Sequence, residues 1–322
     1  MFPLIFQVPL LCGKEKEMKI LVAGSNGMVG SAVTRHLIEC GHEVVRLVRK
    51  APCDGELYWD PDAGRINASG LEGFDAVIQL ASMRWPMRWT RKAKEKLFAN
   101  RIATYRLLAE TLATCVHKSR VLVCASGIGV YPSSGDEILT EDTTPCSSFL
   151  SAVDRAGETA TESAEAAGIR VVHLRMPQVM GGPALQYVGF QAGDGRQWMS
   201  WVGRDELASI IEFVLTNESL QGPVNAVSPN PLRNAEFATN ATKALGLKPG
   251  GVMPKFIVRL AMGEMGEEFA LASRRAQPAK LLAAGYRFRF PDLADALRHE
   301  KACLDAGSTP AVVGESPVIR TR

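Results

Sequence analysis

The sequence predicts an α/β fold, a doubly wound parallel sheet, and three observations predict it. An apolar run at 19–23 passes through a glycine-rich loop into an amphipathic helical pattern, and a second apolar run follows at 43–48. Beyond it, short apolar runs alternate with helical periodicity, a pattern that builds parallel sheets through right-handed crossovers. Finally, the chain has 322 residues, 46% hydrophobic and 22% charged. That is apolar enough for a sizeable core and too polar for a polytopic membrane protein.

Lys and Arg number 37 against 34 Asp and Glu, a formal charge of +3. The balance argues against a nucleic-acid partner, which calls for a basic bias. The seven cysteines (Cys12, Cys40, Cys53, Cys115, Cys124, Cys146, Cys303) are scattered and form no C-x-x-C pair. This suits thiols in a reducing, cytoplasmic setting. The five histidines show no H-x-x-x-H spacing, so linear spacing predicts no metal site. Residues 1–12 are apolar but too short to span a bilayer, and they lack a basic n-region and a small-x-small cleavage site. Residues 1–17 therefore read as an extension, with Met18 an alternative start and a membrane-associated tag the other reading. Residues 306–322 read as a mobile tail.

In chain order, Lys19–Ala23 is a buried parallel strand. Gly24-Ser25-Asn26-Gly27-Met28-Val29-Gly30 follows, then a helix over 31–40 closed by Gly41, then the strand Glu43–Val48. This G-x-x-G-x-x-G between strand and helix is the dinucleotide-binding βαβ pattern. Gly24 permits the tight turn, Gly27 lets backbone approach a pyrophosphate, and Gly30 lets helix pack on strand. An NAD site places an acid at the end of the second strand. Here Arg49 and Lys50 stand there, which favours the 2′-phosphate of NADP over NAD unless both are only a solvated strand end. Further strands are predicted at 75–80, 120–124 and 169–174, with helices at 100–112 and 152–167. Ligands of such sheets lie beyond the carboxyl ends of the strands. That places Leu80, Ala81 and Ser82, then Ser126, then Arg175 and Pro177, around the cofactor.

These features resemble the extended short-chain dehydrogenase/reductase superfamily. Its marks are the glycine triplet, Asp75 ahead of Val77-Ile78-Gln79-Leu80-Ala81, Asn100 with Thr104, Ser126 ahead of Gly129-Val130-Tyr131, and Leu174-Arg175. From Met18 to about His299 the chain is more closely similar to the "epimerase family protein" subfamily. The shared segments include Trp59-Asp60-Pro61, Gly195-Arg196-Gln197-Trp198, Asn234-Ala235-Glu236-Phe237 and Phe290-Pro291-Asp292-Leu293. The resemblance implies a Rossmann domain over 18–182 with 201–228 returning to it. It implies a small, mostly helical substrate-side domain from 183–200 and 229–305, and NADP as cofactor. It also implies a small-molecule partner, a carbonyl or hydroxyl compound or a nucleotide sugar. Oligomeric state stays open.

The chemistry of the superfamily is incomplete here. Its reductases use Tyr-x-x-x-Lys on one helical face, where the lysine lowers the phenol pKa. None of the five tyrosines has a lysine four residues on. Counting back from Glu158 puts Asp154 at the lysine position and Leu150 at the tyrosine position. Gly157 replaces a usual Trp, Gly203 replaces a usual His, and the segment between Gly181 and Gly195 is shorter than the family pattern. The remaining catalytic candidates are Ser126, where the superfamily keeps a substrate-binding hydroxyl, and Tyr131, close enough in sequence to reach the cleft. Asn100 matches a structural or relay asparagine. Arg88, with Trp85 and Trp89, could clamp an anion, and Asp136, Glu137, Glu141 and Asp142 read as a solvated acidic loop. Two functions stay open: an NADP-dependent reductase or epimerase-like enzyme, and a non-catalytic NADP-binding sensor or scaffold.

Overall fold

The structure, a computed structural model, describes residues 17–83, 88–182, 185 and 188–306. Residues 1–16, the tail from 307 and Trp85 lie outside the described residues. Its first half runs β1 (Lys19–Ala23), α1 (Met28–Glu39), β2 (Glu43–Val48), β3 (Glu56–Asp60), β4 (Arg65–Ile66), β5 (Ala76–Gln79), α2 (Arg91–Thr114) and β6 (Val121–Gly127). Then come β7 (Ile138–Leu139), α3 (Phe149–Thr159), α4 (Glu162–Ala166), β8 (Arg170–Met176), β9 (Gln178–Met180), β10 (Gln191–Ala192), β11 (Trp198–Met199) and β12 (Trp201–Gly203). The remainder is α5 (Arg204–Thr216), β13 (Gly222–Asn225), β14 (Leu232–Arg233), α6 (Asn234–Leu245), β15 (Val252–Met253), α7 (Lys255–Met262), α8 (Glu264–Gly266), β16 (Arg275–Ala276), α9 (Ala279–Ala283) and α10 (Leu293–Asp305).

The central sheet has the order β13-β8-β6-β5-β1-β2-β3-β4. Every neighbouring pair is parallel except β3 with the short edge strand β4. Ile20 lies opposite both Val44 and Ala76, and Val121 opposite both Ala76 and Arg170. Helices cover both faces, so the inner strands are apolar on both. Ile20, Val22, Ile78, Val123 and Val172 face α1 and α5. The alternate residues Leu21, Val77, Leu122 and Val171 face α2 and α4. A second core joins Met180, Trp201, Phe237, Leu245, Leu293 and Leu297 under α6 and α10.

Three local differences from the sequence reading have physical causes. Helix α2 starts at Arg91 rather than near 100, because Thr90 caps it by accepting from the Ala93 amide at 3.3 Å. Its first turns carry Arg91, Lys92, Lys94, Glu95 and Lys96, which give no apolar period. The helix predicted over 152–167 breaks between α3 and α4. There the Thr161 hydroxyl donates back to the Glu158 carbonyl at 2.7 Å. Strands β3 and β4 were not predicted, although Trp59 buries fully in the sheet core. The all-thiol expectation also needs correction. Cys40 is disulfide-bonded, while Cys53, Cys115, Cys124, Cys146 and Cys303 are free.

A buried carboxylate fastens the C-terminal segment to the sheet. Glu206 on α5 accepts from the Tyr286 hydroxyl at 2.6 Å and the Phe290 amide at 2.8 Å. Tyr286 sits edge-on between Phe213 and Phe288. Replacing Tyr286 by Phe removes one charge-assisted bond and leaves that side of the carboxylate unmet. Urea unfolding should show a loss of about 1.5–3 kcal/mol.

Candidate functional site

The site begins where β1 ends. Gly24 has φ +83°, and a Cβ there would lie 2.6 Å from the Leu80 carbonyl carbon and the Ala81 amide nitrogen, at the mouth of β5. The Gly24 carbonyl accepts from the Gly27 amide at 3.0 Å. A Cβ on Gly30 would come within 2.1 Å of that same carbonyl oxygen. Two of the three glycines are thus demanded by the chain itself.

Gly27 is different. Its φ is −74°, which any residue adopts, and the nearest atom to a Cβ there is the Gly24 carbonyl at 3.3 Å. The open space lies above the first turn of α1, which no side chain caps and no acid occupies. The first amides of a helix have no intrahelical partner and carry partial positive charge. Met28, Val29 and Gly30 start such a turn. The cradle fits an anionic pyrophosphate, which adds a reason for glycine at 27 beyond that 3.3 Å approach.

Around this loop the structure places the sequence-predicted residues unevenly. Leu80 donates its amide to Ala23, and Ala81 donates to Gln79 Oε1 at 3.0 Å. Ser82 is exposed, and Asn100 Oδ1 accepts from the Met83 amide at 3.1 Å, holding the loop after β5. Pro177 links β8 to β9 at the carboxyl edge of the sheet. Arg49 lies over the Trp59 ring and 3.7 Å from Asp62, and Lys50 is exposed. A third cation, Arg46 of β2, stands closer to the loop. Its guanidinium donates to Ser25 Oγ at 3.2 Å and to Asn26 Oδ1, and pairs with Glu56 at 3.3 Å. The available signal was a lone charge inside Glu43-Val-Val-Arg46-Leu-Val, since a charge within a strand that is otherwise apolar needs a partner.

The catalytic candidates belong to a buried polar chain. Ser126, at the end of β6, donates its hydroxyl to Glu158 Oε1 at 2.7 Å. Glu158 also accepts from Arg175 Nε at 3.0 Å and Nη2 at 2.9 Å. Arg175 Nη1 donates to the Tyr131 hydroxyl at 3.0 Å, which donates to Asn225 Oδ1 at 2.7 Å. Burial works to raise the Glu158 carboxyl, but the Arg175 fork holds it below its ordinary value. Burial raises the Tyr131 phenol despite the same arginine. Tyr131 is fully buried with Val130, Leu139, Val227 and Ala276. This corrects the expectation that Tyr131 reaches the cleft: the ring closes a core, and its one donor proton is engaged.

The missing Tyr-x-x-x-Lys pair has left a filled space. Leu150 packs with Trp89 and Leu97, with Phe149, Met83 and Met265 alongside. Trp89 meets Phe149 and Phe269 edge-on at 5.1 and 5.8 Å. Asp154 lies 3.5 Å from Arg101 Nη2, and Arg101 donates to the Tyr105 hydroxyl at 2.6 Å and the Ala125 carbonyl at 3.2 Å. A Cβ on Gly157 would sit 2.8 Å from Arg101 Cδ, so glycine there makes room for this arginine. Burial pushes the Asp154 carboxyl up to about 6; Arg101 opposes the shift and Glu158 adds to it.

Two other expectations change. Arg88 donates to the Leu260 carbonyl at 2.9 Å and so clasps α7. Glu141 of the acidic loop is buried and accepts from the Asn225 and Lys280 amides. Asp136 accepts from Trp198 Nε1 at 2.7 Å and from Arg233.

Comparison with known proteins agrees with this geometry. Residues 20–190 match the NAD dependent epimerase/dehydratase family, and residues 253–300 match a domain of unknown function, DUF1731. An "epimerase family protein" of Mycobacterium bovis is 33% identical over 290 residues, 86% of this chain and 96% of that one. The chain belongs to the NAD dependent epimerase/dehydratase family. Among solved members, human epimerase family protein SDR39U1, crystallised with NADPH, is 28% identical with a TM-score of 0.77. The alignment covers 88% of this chain and 99% of the human one. A nucleoside-diphosphate sugar epimerase from Corynebacterium glutamicum is 33% identical with a TM-score of 0.75, over 88% of this chain; the match spans 58% of that longer chain. The match over residues 20–190 spans the glycine loop.

Two predictions follow from the glycines and from Asp154. Gly27→Asp should fold normally and lose dinucleotide binding, while Gly30→Ala should lose stability itself, because its Cβ has nowhere to go. Thermal unfolding and NADPH titration separate the two. Asp154 has its folded pKa raised from 3.8 to about 6. Its protonated form is the one the fold favours, so its contribution is full below pH 4 and is lost as pH rises through about 6. Asp154→Asn removes that loss. Between pH 4 and 7 the variant's stability relative to the parent should climb by on the order of 2–3 kcal/mol in urea titrations.

Proposed function

We propose that this protein binds NADP(H) in the cradle of Gly24, Gly27 and Gly30 and turns over ordinary superfamily substrates slowly or not at all. The observation that carries the reading is the contrast between two parts of the fold. The pyrophosphate cradle is open and uncapped, while an apolar cluster and a buried Asp–Arg pair fill the proton-transfer position. The bound nucleotide would supply a hydride. The chain's own residues would hold it: α1 amides on the pyrophosphate, Arg46, Arg49 and Lys50 near the adenosine 2′-phosphate, and the Leu80-Ala81-Ser82 edge beside the ring system. Human SDR39U1 with NADPH supports the choice of cofactor.

Proton transfer is the step the residues do not support. Leucine has no proton to give. The Ser126 proton is engaged by Glu158, and the Tyr131 proton by Asn225. General acid–base groups contribute roughly 10²–10⁴-fold, and the candidates among the described residues do not supply that factor. The working state is then the nucleotide-loaded protein in the cytoplasm, a sensor or scaffold. A second reading has its own support in the Corynebacterium nucleoside-diphosphate sugar epimerase at 33% identity. It is an enzyme of carbonyl or hydroxyl compounds with Ser126 on the substrate oxygen.

Calorimetry should find NADP bound roughly ten- to hundredfold tighter than NAD, the value of one charge-assisted contact. Arg46→Ala and Arg49→Ala should each narrow the gap. Equal affinities in the parent would remove the NADP assignment. Steady-state NADPH oxidation over quinones, aldehydes and nucleotide sugars decides between the readings. A parent rate of about 1–10³ per second that falls in Ser126→Ala would establish the enzyme.

A further inference from the structure

Away from the cradle, Asp205, His299 and Cys303 converge from distant parts of the chain. Asp205 is the second residue of α5. His299 and Cys303 lie one turn apart on α10, a spacing that puts both on one face. Asp205 Oδ2 is 3.1 Å from His299 Nε2 and 3.5 Å from Cys303 Sγ, and the two α10 ligand atoms are 3.6 Å apart. We propose that these three residues form a site for a divalent cation of the zinc class.

Zinc bonds of about 2.0–2.3 Å in a tetrahedron put donor atoms about 3.3–3.8 Å apart. The triangle already has nearly those edges, so a cation at its apex requires shifts of only tenths of an ångström. One imidazole nitrogen, one carboxylate oxygen and one thiolate suit zinc, whereas magnesium and calcium take oxygen sets. The surrounding residues hold the donors in place. Asp205 Oδ1 accepts from Arg35 Nη2 at 2.9 Å and Arg204 Nε at 3.3 Å, which leaves Oδ2 for the site. Phe290 stacks on the His299 ring at 4.5 Å. Arg204 in turn pairs with Glu300 at 3.2 Å. Neighbours that fix a ligand's orientation are a regular part of metal sites. The His299 side chain is 28% exposed, so solvent can reach the triangle and supply a fourth ligand.

Linear spacing could not show this triad, because Asp205 lies 94 residues before His299. The similar cluster of His36, Cys40 and Glu212 carries no such proposal, since the Cys40 sulfur is already in a disulfide. A cation at Asp205 would tie α10 to the first turn of α5 and, through Arg35, to α1. It would act as a clasp between the C-terminal helix and the helix that opens the nucleotide cradle.

The test is a cobalt(II) titration of the full chain after chelator treatment. The expected result is saturation near one cobalt per chain, with thiolate-to-cobalt charge-transfer absorption that zinc displaces. Cys303→Ser should abolish the band, Cys53→Ser should keep it, and His299→Gln should weaken binding at least tenfold with unchanged circular dichroism. No charge-transfer band in the parent, or a band that survives Cys303→Ser, would overturn the site.

Discussion

The architecture turns on one crowded carbonyl. The Gly24 oxygen receives the Gly27 amide and lies where a Gly30 side chain would have to go, while a side chain on Gly24 would collide with the backbone of Leu80 and Ala81. Three elements, β1, α1 and β5, meet within this contact, and no side chain fits between them. The first turn of α1 is thereby aimed across the carboxyl end of the sheet. The partial charge of its amides is available there because neither a capping side chain nor an acidic residue uses it. Gly27, the least crowded of the three glycines, faces the side from which an anion would approach.

The same edge of the sheet carries charge in an unusual state of closure. Buried ions are costly unless paired, and here they are paired along the chain Ser126, Glu158, Arg175, Tyr131, Asn225 and again at Arg101 with Asp154. These bonds anchor α3 to β6 and β8 with strong, directional contacts. They also engage the Ser126 and Tyr131 protons that a catalyst would offer a substrate. Gly157 and Arg101 belong together in this arrangement: the absent side chain on α3 is the space through which the α2 arginine passes.

How much of this was legible in the sequence depends on the range of the interaction. The β1–loop–α1–β2 unit is local and its periods are regular, so its strands and its glycines could be read directly, although α1 starts at Met28, inside the glycine loop, rather than at 31. The first turns of α2 could not, since Arg91 to Lys96 give no apolar stripe and only the Thr90 cap marks the start. Arg46 is hard to single out, because Arg49 and Lys50 occupy the strand end where cofactor choice is read, and a charge within an apolar strand does not by itself say which partner it has. Tyr131 was read from its closeness to Ser126 in sequence, which says nothing about the direction of a ring. The partners that decide its role, Arg175 and Asn225, lie 44 and 94 residues away. The loss of Tyr-x-x-x-Lys was visible by counting; what filled the space, from Trp89 to Met265, was not.

The central claim is that one chain combines an open nucleotide cradle with a filled proton-transfer position. A crystal structure of the protein with NADPH tests it most directly. The account predicts the pyrophosphate against the amides of Met28, Val29 and Gly30, with the nicotinamide facing Leu150 and no tyrosine or serine hydroxyl free to meet a substrate oxygen beside it. A nucleotide seated elsewhere would contradict the account. So would a rearranged cleft in which Ser126 has left Glu158 and turned its hydroxyl to the nicotinamide.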